Sequence, residues 1–237
     1  MIIKNGKAFT KEKKDLLFLH GYLSSGKSFS YQIPFFDKDF RVFAPDLKGF
    51  GDNAGMEYPY SLNDYVKEVK EYIKSNGLNK PHVIAHSFGA RIAIKLASED
   101  GGLLDKIVLT GAAGLKPRRK IGYYIKKGVF KTLKLIVPKE KLSSFYSCDY
   151  NNLSPVMKES FIKIVNEHLD CLLPKIENET LLVFGEDDKE TPLYMARRLN
   201  KGIKNSKLTV IRGAGHFAFI DKPFRFNTEV REFLFSR

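Results

Sequence analysis

The reading of the chain turns on Pro81-His82-Val83-Ile84-Ala85-His86-Ser87-Phe88-Gly89-Ala90-Arg91. An apolar run from Val83 stops abruptly at Ser87, small residues flank the serine at Ala85, Gly89 and Ala90, and Ile92-Ala93-Ile94-Lys95-Leu96-Ala97 continues with helix-compatible composition. This pattern predicts a strand, a tight turn and a helix, with a hydroxyl at the apex. Such a turn strains the serine backbone, and the residues two before and two after it must be small or their side chains would collide. Ala85-x-Ser87-x-Gly89 meets that requirement.

Outward from this stretch the chain alternates between strand and helix patterns. Asp15-Leu16-Leu17-Phe18-Leu19 reads as a buried strand ending at His20-Gly21, and Arg41-Val42-Phe43-Ala44 as another, followed by the turn-rich loop Asp46-Leu47-Lys48-Gly49-Phe50-Gly51-Asp52. Asp46 is expected to be structural, since loop aspartates commonly accept nearby backbone N–H groups. Ser61 is a helix N-cap, Tyr65, Val66, Val69, Tyr72 and Ile73 recur at helical spacing, and Asn76-Gly77 stops the helix. Beyond the central stretch, Lys106 to Thr110, Thr180 to Gly185 and Lys207 to Ile211 read as strands, and Phe224, Phe226, Val230, Phe233 and Leu234 mark a closing amphipathic helix. Strands alternating with helices imply an α/β fold, a mostly parallel twisted sheet with helices on both faces. Met1 to Ile3 and Lys7 to Phe9 flank Asn5-Gly6, a hairpin turn signal, so two short antiparallel strands are expected at the start.

From 113 to 175 the rhythm breaks. The segment reads as helical, aromatic and basic, which divides the chain into a core over 1–112 and 176–237 and an inserted helical cap over 113–175. A helix starting near Lys120 would place Ile121, Ile125, Val129, Leu133 and Ile136 on one face. Lys116, Arg118, Arg119, Lys120, Lys126, Lys127, Lys131, Lys134, Lys139 and Lys141 are answered locally only by Glu140, and they account for most of the net charge of +13. This is either a solvated lysine-rich face or one that contacts anionic groups, an anionic membrane surface included; nucleic acid is not expected as a partner.

The 237 residues, 43% hydrophobic and 28% charged, fit a single globular core carrying an insertion. No apolar run reaches the roughly 18 residues that would span a bilayer. Met1 to Lys7 lacks the features of a secretory signal, so a cytoplasmic location is expected. Cys148 and Cys171 have no metal-ligand spacing and are expected to be free thiols.

A serine hydroxyl needs an imidazole to take its proton and a carboxylate to orient that imidazole. Of the five histidines, His20 belongs to the His-Gly turn, His82 to a strand start, His86 to the turn beside the serine, and His168 has no supporting context. His216, after the last strand, is the candidate base. Asp187 and Asp188, after the Thr180 to Gly185 strand, compete for the acid. A rival motif also exists: Gly21-Tyr22-Leu23-Ser24-Ser25-Gly26-Lys27-Ser28 matches the phosphate-cradling G-x-x-x-x-G-K-[ST] pattern and follows an apolar strand, which would make the chain a nucleotide-binding protein. Against it stand bulky loop residues, Pro45 beside the only plausible magnesium-side Asp46, and the C-terminal half. A non-catalytic protein binding through its basic surface is a third class.

Five motifs in order, the His20-Gly21 turn, the Asp46 to Asp52 loop, Ala85-x-Ser87-x-Gly89, the acidic loop after Gly185 and Gly213-Ala214-Gly215-His216, resemble the α/β-hydrolase family. The departure is Ala85, where glycine is usual. The resemblance implies a serine hydrolase with the triad Ser87, Asp188 and His216, the acid being counted three residues after Gly185. It also implies an oxyanion hole of the Tyr22 and Phe88 amides, a cap over the site, and no metal or organic cofactor. A small-molecule carboxylic ester with a small or medium acyl or aryl group is the expected substrate, cleaved through an acyl-enzyme. Carbon–carbon bond hydrolysis, thioester hydrolysis and lyase chemistry are the alternatives on the same fold. Tyr123, Tyr124, Phe145 and Tyr146 of the cap are expected to line the substrate pocket.

Overall fold

The computed structural model describes residues 2–4, 7–9, 13–118 and 153–236. Its centre is a six-stranded, wholly parallel sheet. In chain order the strands are β3 (Asp15–Leu19), β4 (Arg41–Phe43), β5 (His82–His86), β6 (Ile107–Thr110), β7 (Thr180–Gly185) and β8 (Ser206–Ile211), arranged β4-β3-β5-β6-β7-β8. The expected hairpin precedes them as β1 (Ile2–Lys4) and β2 (Lys7–Phe9), antiparallel with Ile2 opposite Phe9.

Side chains of a strand alternate between faces, and both faces are buried here. Leu17, Leu19, Val83, Ala85, Ile107, Leu109, Leu182 and Phe184 pack on one side. That side is covered by α2 (Leu62–Ser75), α3 (Phe88–Asp100) and α5 (Leu193–Gly202), whose buried residues belong to the same cluster. Leu16, Phe18, Ile84, Val108, Leu181 and Val183 pack on the other, against the short α1 (Ile33–Phe36) and the closing α7 (Pro223–Phe235). The short α6 (Ala218–Asp221) precedes α7.

Local chemistry sets the boundaries. Ser61 caps α2 in a capping box with Asp64, each side chain accepting the other's backbone N–H, an arrangement that contributes about 1 kcal/mol. Gly77, at φ +60, turns the chain out of that helix, as its lack of a Cβ permits.

Between β6 and β7 the described residues form α4 (Pro155–Asn166), capped by Ser154, and a 3₁₀ segment Asp170–Lys175. The helix expected from Lys120 and the pocket residues Tyr123, Tyr124, Phe145 and Tyr146 lie outside the described residues, as does Cys148. Cys171 is an exposed free thiol. Among the described residues no helix is long and apolar enough to cross a membrane.

Candidate active site

β5 sits in the interior of the sheet, paired with β3 and β6, so the turn that follows it opens at the C-terminal edge of the sheet between neighbouring strands. Ser87 occupies that turn at φ +49, ψ −102, a conformation costly for a residue with a Cβ. Backbone bonds hold it there. Its amide donates to Thr110 O at 3.1 Å, its carbonyl accepts from Ala113 N at 3.3 Å, and Gly89 N donates to His20 O at 3.1 Å. Gly89 has no alternative: a Cβ there would lie 2.2 Å from Leu19 O.

His216 arrives on the loop after β8 and is 9% exposed, while Asp188, on the loop after β7, is 4% exposed. The imidazole Nδ1 lies 2.9 Å from Asp188 Oδ2. Asp188 also accepts from the amides of Glu190 and Thr191, both at 2.9 Å, and from the Thr191 hydroxyl at 2.7 Å. Burial opposes ionisation of this carboxyl, but the His216 contact and the two Thr191 donors outweigh it and bring its pKa down to about 2. Asp187, the competing acid, is exposed.

The other face of the imidazole meets a residue that was not singled out from sequence. Nε2 of His216 lies 3.3 Å from Glu190 Oε2, and Glu190 is exposed at the rim. Among the described residues no hydrogen bond joins Ser87 Oγ to His216. Glu190 is one of several charges in an acidic loop, and only its position two residues after Asp188 marked it.

Ser87 and His216 share a cavity of about 230 Å³, lined also by Tyr22, Phe88, Arg91 and Phe161. Phe88 opens α3, so its amide belongs to the first turn, where helical N–H groups lack an intrahelical acceptor. Tyr22 is anchored by its hydroxyl donating to Met157 O at 3.0 Å and by ring contacts with Phe50, Phe88 and Phe161. Larger hollows of about 560 and 620 Å³ adjoin Asp105, which precedes β6, and hold no part of the Ser87 constellation.

Three of the other histidines, His20, His86 and His82, have structural surroundings. His20 Nδ1 donates to Gly21 O and its Nε2 accepts from Leu47 N, tying the first turn to the Asp46 loop. His86 donates from Nε2 to His216 O at 3.2 Å, and burial drives its pKa down to about 3, so it stays neutral and pins the His216 backbone. His82 lies at the opposite end of β5 beside Asp105.

The phosphate-cradle reading of Gly21 to Ser28 is not supported. Gly26 N donates to Asp46 Oδ1 at 2.7 Å, Lys27 pairs with Asp52 at 3.1 Å, and a Cβ on Gly26 would lie 2.2 Å from Ala44 O, so its backbone is packed against protein. A phosphate there would face Asp46 and Asp52, carboxylates of its own sign. Asp46 has the structural role expected of it, accepting from Gly26 N and Asp52 N. Among the described residues no cluster of histidine, cysteine or acidic side chains is arranged to hold a metal.

Comparison with known proteins follows the same architecture. A curated relative is the AB hydrolase superfamily protein YisY of Bacillus subtilis (strain 168), 26% identical, the match covering 93% of this chain and 91% of that protein. A meta-cleavage product hydrolase from Pseudomonas fluorescens IP01 superposes with a TM-score of 0.72 at 25% identity, over 94% of this chain and 91% of its own. An esterase from Exiguobacterium antarcticum superposes with a TM-score of 0.76 over 95% and 93%, at 22% identity, where the likeness speaks for the fold alone. The family model described as the alpha/beta hydrolase family matches residues 16–229, nearly the whole of the sheet and its helices, and the chain therefore belongs to the alpha/beta hydrolase family.

Proposed function

We propose that the protein is a serine hydrolase acting on small or medium carboxylic esters, with Ser87 as nucleophile, His216 as general base and Asp188 as its orienting acid. The observation that carries this reading is the buried His216–Asp188 pair, whose imidazole lines the same cavity as strained Ser87. An Nδ1–H donated to Asp188 leaves the lone pair on Nε2, the form a general base requires. In the reaction, Nε2 turns from Glu190 to Ser87 and takes the hydroxyl proton as Oγ attacks the ester carbonyl. The amides of Phe88 and Tyr22 stabilise the oxyanion. His216 then passes the proton to the departing alkoxide, and water, deprotonated by His216 in turn, releases the acid and regenerates Ser87. The segment 113–175 acts as the cap, its described helix α4 supplying Phe161, Ile164 and Val165 to the cavity wall.

The test is hydrolysis of aryl esters from acetate to octanoate by the purified chain and by Ser87→Ala. Turnover by the native chain that disappears in the variant supports the reading. Equal turnover by both would falsify it. Carbon–carbon bond hydrolysis is the second reading, favoured by the likeness at 25% identity to a meta-cleavage product hydrolase; a vinylogous diketo acid cleaved faster than any ester would establish it in place of the first.

A further inference from the structure

Arg91 lies in the first turn of α3, four residues after Ser87, which caps that helix in a non-helical conformation, and only 8% of its surface is exposed. Its stem lies over Gly114. Its Nη1 donates to the carbonyls of Ile164 and Glu167 at the C-terminal end of α4, both at 2.9 Å. A guanidinium has five N–H donors. The three on Nε and Nη2 find no acceptor among the described residues, and Arg91 forms part of the cavity wall beside Ser87.

Its charge is also incompletely answered. Glu167, the carboxylate whose charge acts on Arg91, is engaged by Lys95, one turn further along α3. Burial lowers the Arg91 pKa to about 10 against the opposing effect of Glu167, so it remains a cation at neutral pH. A buried cation without a paired anion is costly, and a planar fork of free donors matches a carboxylate in geometry and sign. The surrounding wall of Phe88, Phe161, Ile164 and Val165 is apolar, which strengthens such a pairing. Glu190, the opposing charge, is exposed at the rim beside His216, whereas Arg91 is buried. The two charges therefore select an anion that reaches the inner wall.

We infer that Arg91 is an anion subsite and that the preferred substrate carries a carboxylate a few bonds from the scissile carbonyl. This rests on the serine hydrolase reading for the reaction, but not for the binding. Ser87 and Arg91 line one cavity of about 230 Å³, a space that suits half-esters of short dicarboxylic acids. The substrate class follows from the fork and the shared cavity; the capping of α4 by Nη1 explains why the side chain is so well fixed.

The experiment compares monomethyl glutarate with methyl pentanoate, nearly matched in length and differing in the terminal carboxylate, in the native chain, Arg91→Gln and Arg91→Lys. The native chain is expected to favour the half-ester in kcat/KM, and Arg91→Gln to lower the ratio about ten- to a hundred-fold, with part retained by Arg91→Lys. A loss of folding would lower both substrates together and leave the ratio unchanged, so the ratio isolates the subsite. Binding of glutarate itself, read as a rise in melting temperature in the native chain and its loss in Arg91→Gln, supplies a measurement independent of turnover. If neither ester is cleaved while aryl esters are, or if no ester is cleaved at all, glutarate binding alone decides the subsite. An unchanged ratio in an Arg91→Gln variant that melts cooperatively, or a glutarate shift absent from the native chain or equal in both proteins, overturns it.

Discussion

Two glycine-bearing turns leave adjacent parallel strands of one sheet, and they end in opposite states. After β3, Gly21 to Ser28 has the spacing of a phosphate loop, yet Asp46 accepts the Gly26 amide, Asp52 pairs with Lys27, and the Ala44 carbonyl packs against Gly26. After β5, Ala85 to Gly89 has a departure from its motif at Ala85, yet Ser87 is held at positive φ on the wall of a cavity with His216 behind it. The difference lies in where the backbone donors go. A loop whose amides are taken up by its own carbonyls and by a carboxylate of the neighbouring loop has little left for a ligand, while a strained turn held by neighbouring strands can present a side chain.

The contrast can be broken most sharply at Ser87. Ser87→Ala is expected to lower ester hydrolysis by about 10⁶-fold, the scale on which a nucleophile and its base act as one unit; Lys27→Ala, at the matching position of the other turn, should leave hydrolysis within about twofold. Next comes the acid. Asp188→Asn should cost about 10⁴-fold in kcat, because an amide no longer fixes the imidazole tautomer, whereas Asp187→Asn on the exposed neighbour should change little. Steady-state rates on one ester settle both pairs.

Smaller effects fall on stability. Gly89→Ala drives a Cβ into Leu19 O and is expected to cost about 1–3 kcal/mol, or about 2–4 °C in melting temperature for each kcal/mol. Asp188 adds a pH signature. Its carboxyl falls from the ordinary 3.8 to about 2 on folding, so the folded chain favours the ionised form. That contribution, about 2 kcal/mol, is complete above about pH 5 and is lost as the pH falls through about 2. Denaturant titrations at pH 2 to 5 should therefore give a steeper acid loss for the native chain than for Asp188→Asn.

Periodicity carried most of the fold. Apolar runs buried on both faces marked β3, β5, β6 and β7, and Ser61 and Gly77 bracketed α2, because strand burial and helix caps are local properties of the chain. The site was legible where a local pattern forces a backbone, as at Ser87 and Gly89. Asp188 was separable from Asp187 only by the count from Gly185, since two adjacent loop acids look alike until tertiary contacts bury one of them. Arg91 and Glu190 were missed for the same reason. Arg91 reads as one polar residue on an amphipathic helix, although α3 is buried from Phe88 to Ala97 and must enclose its charge. Its spacing of four from Ser87 was the available signal.

The most direct measurement of the central claim is labelling of the native chain, Ser87→Ala and His216→Ala with a fluorophosphonate probe, which reacts with a serine whose proton is being withdrawn. The account predicts stoichiometric labelling of the native chain at Ser87 and none of either variant. Labelling that persists in Ser87→Ala, or a folded native chain that remains unlabelled, would contradict it.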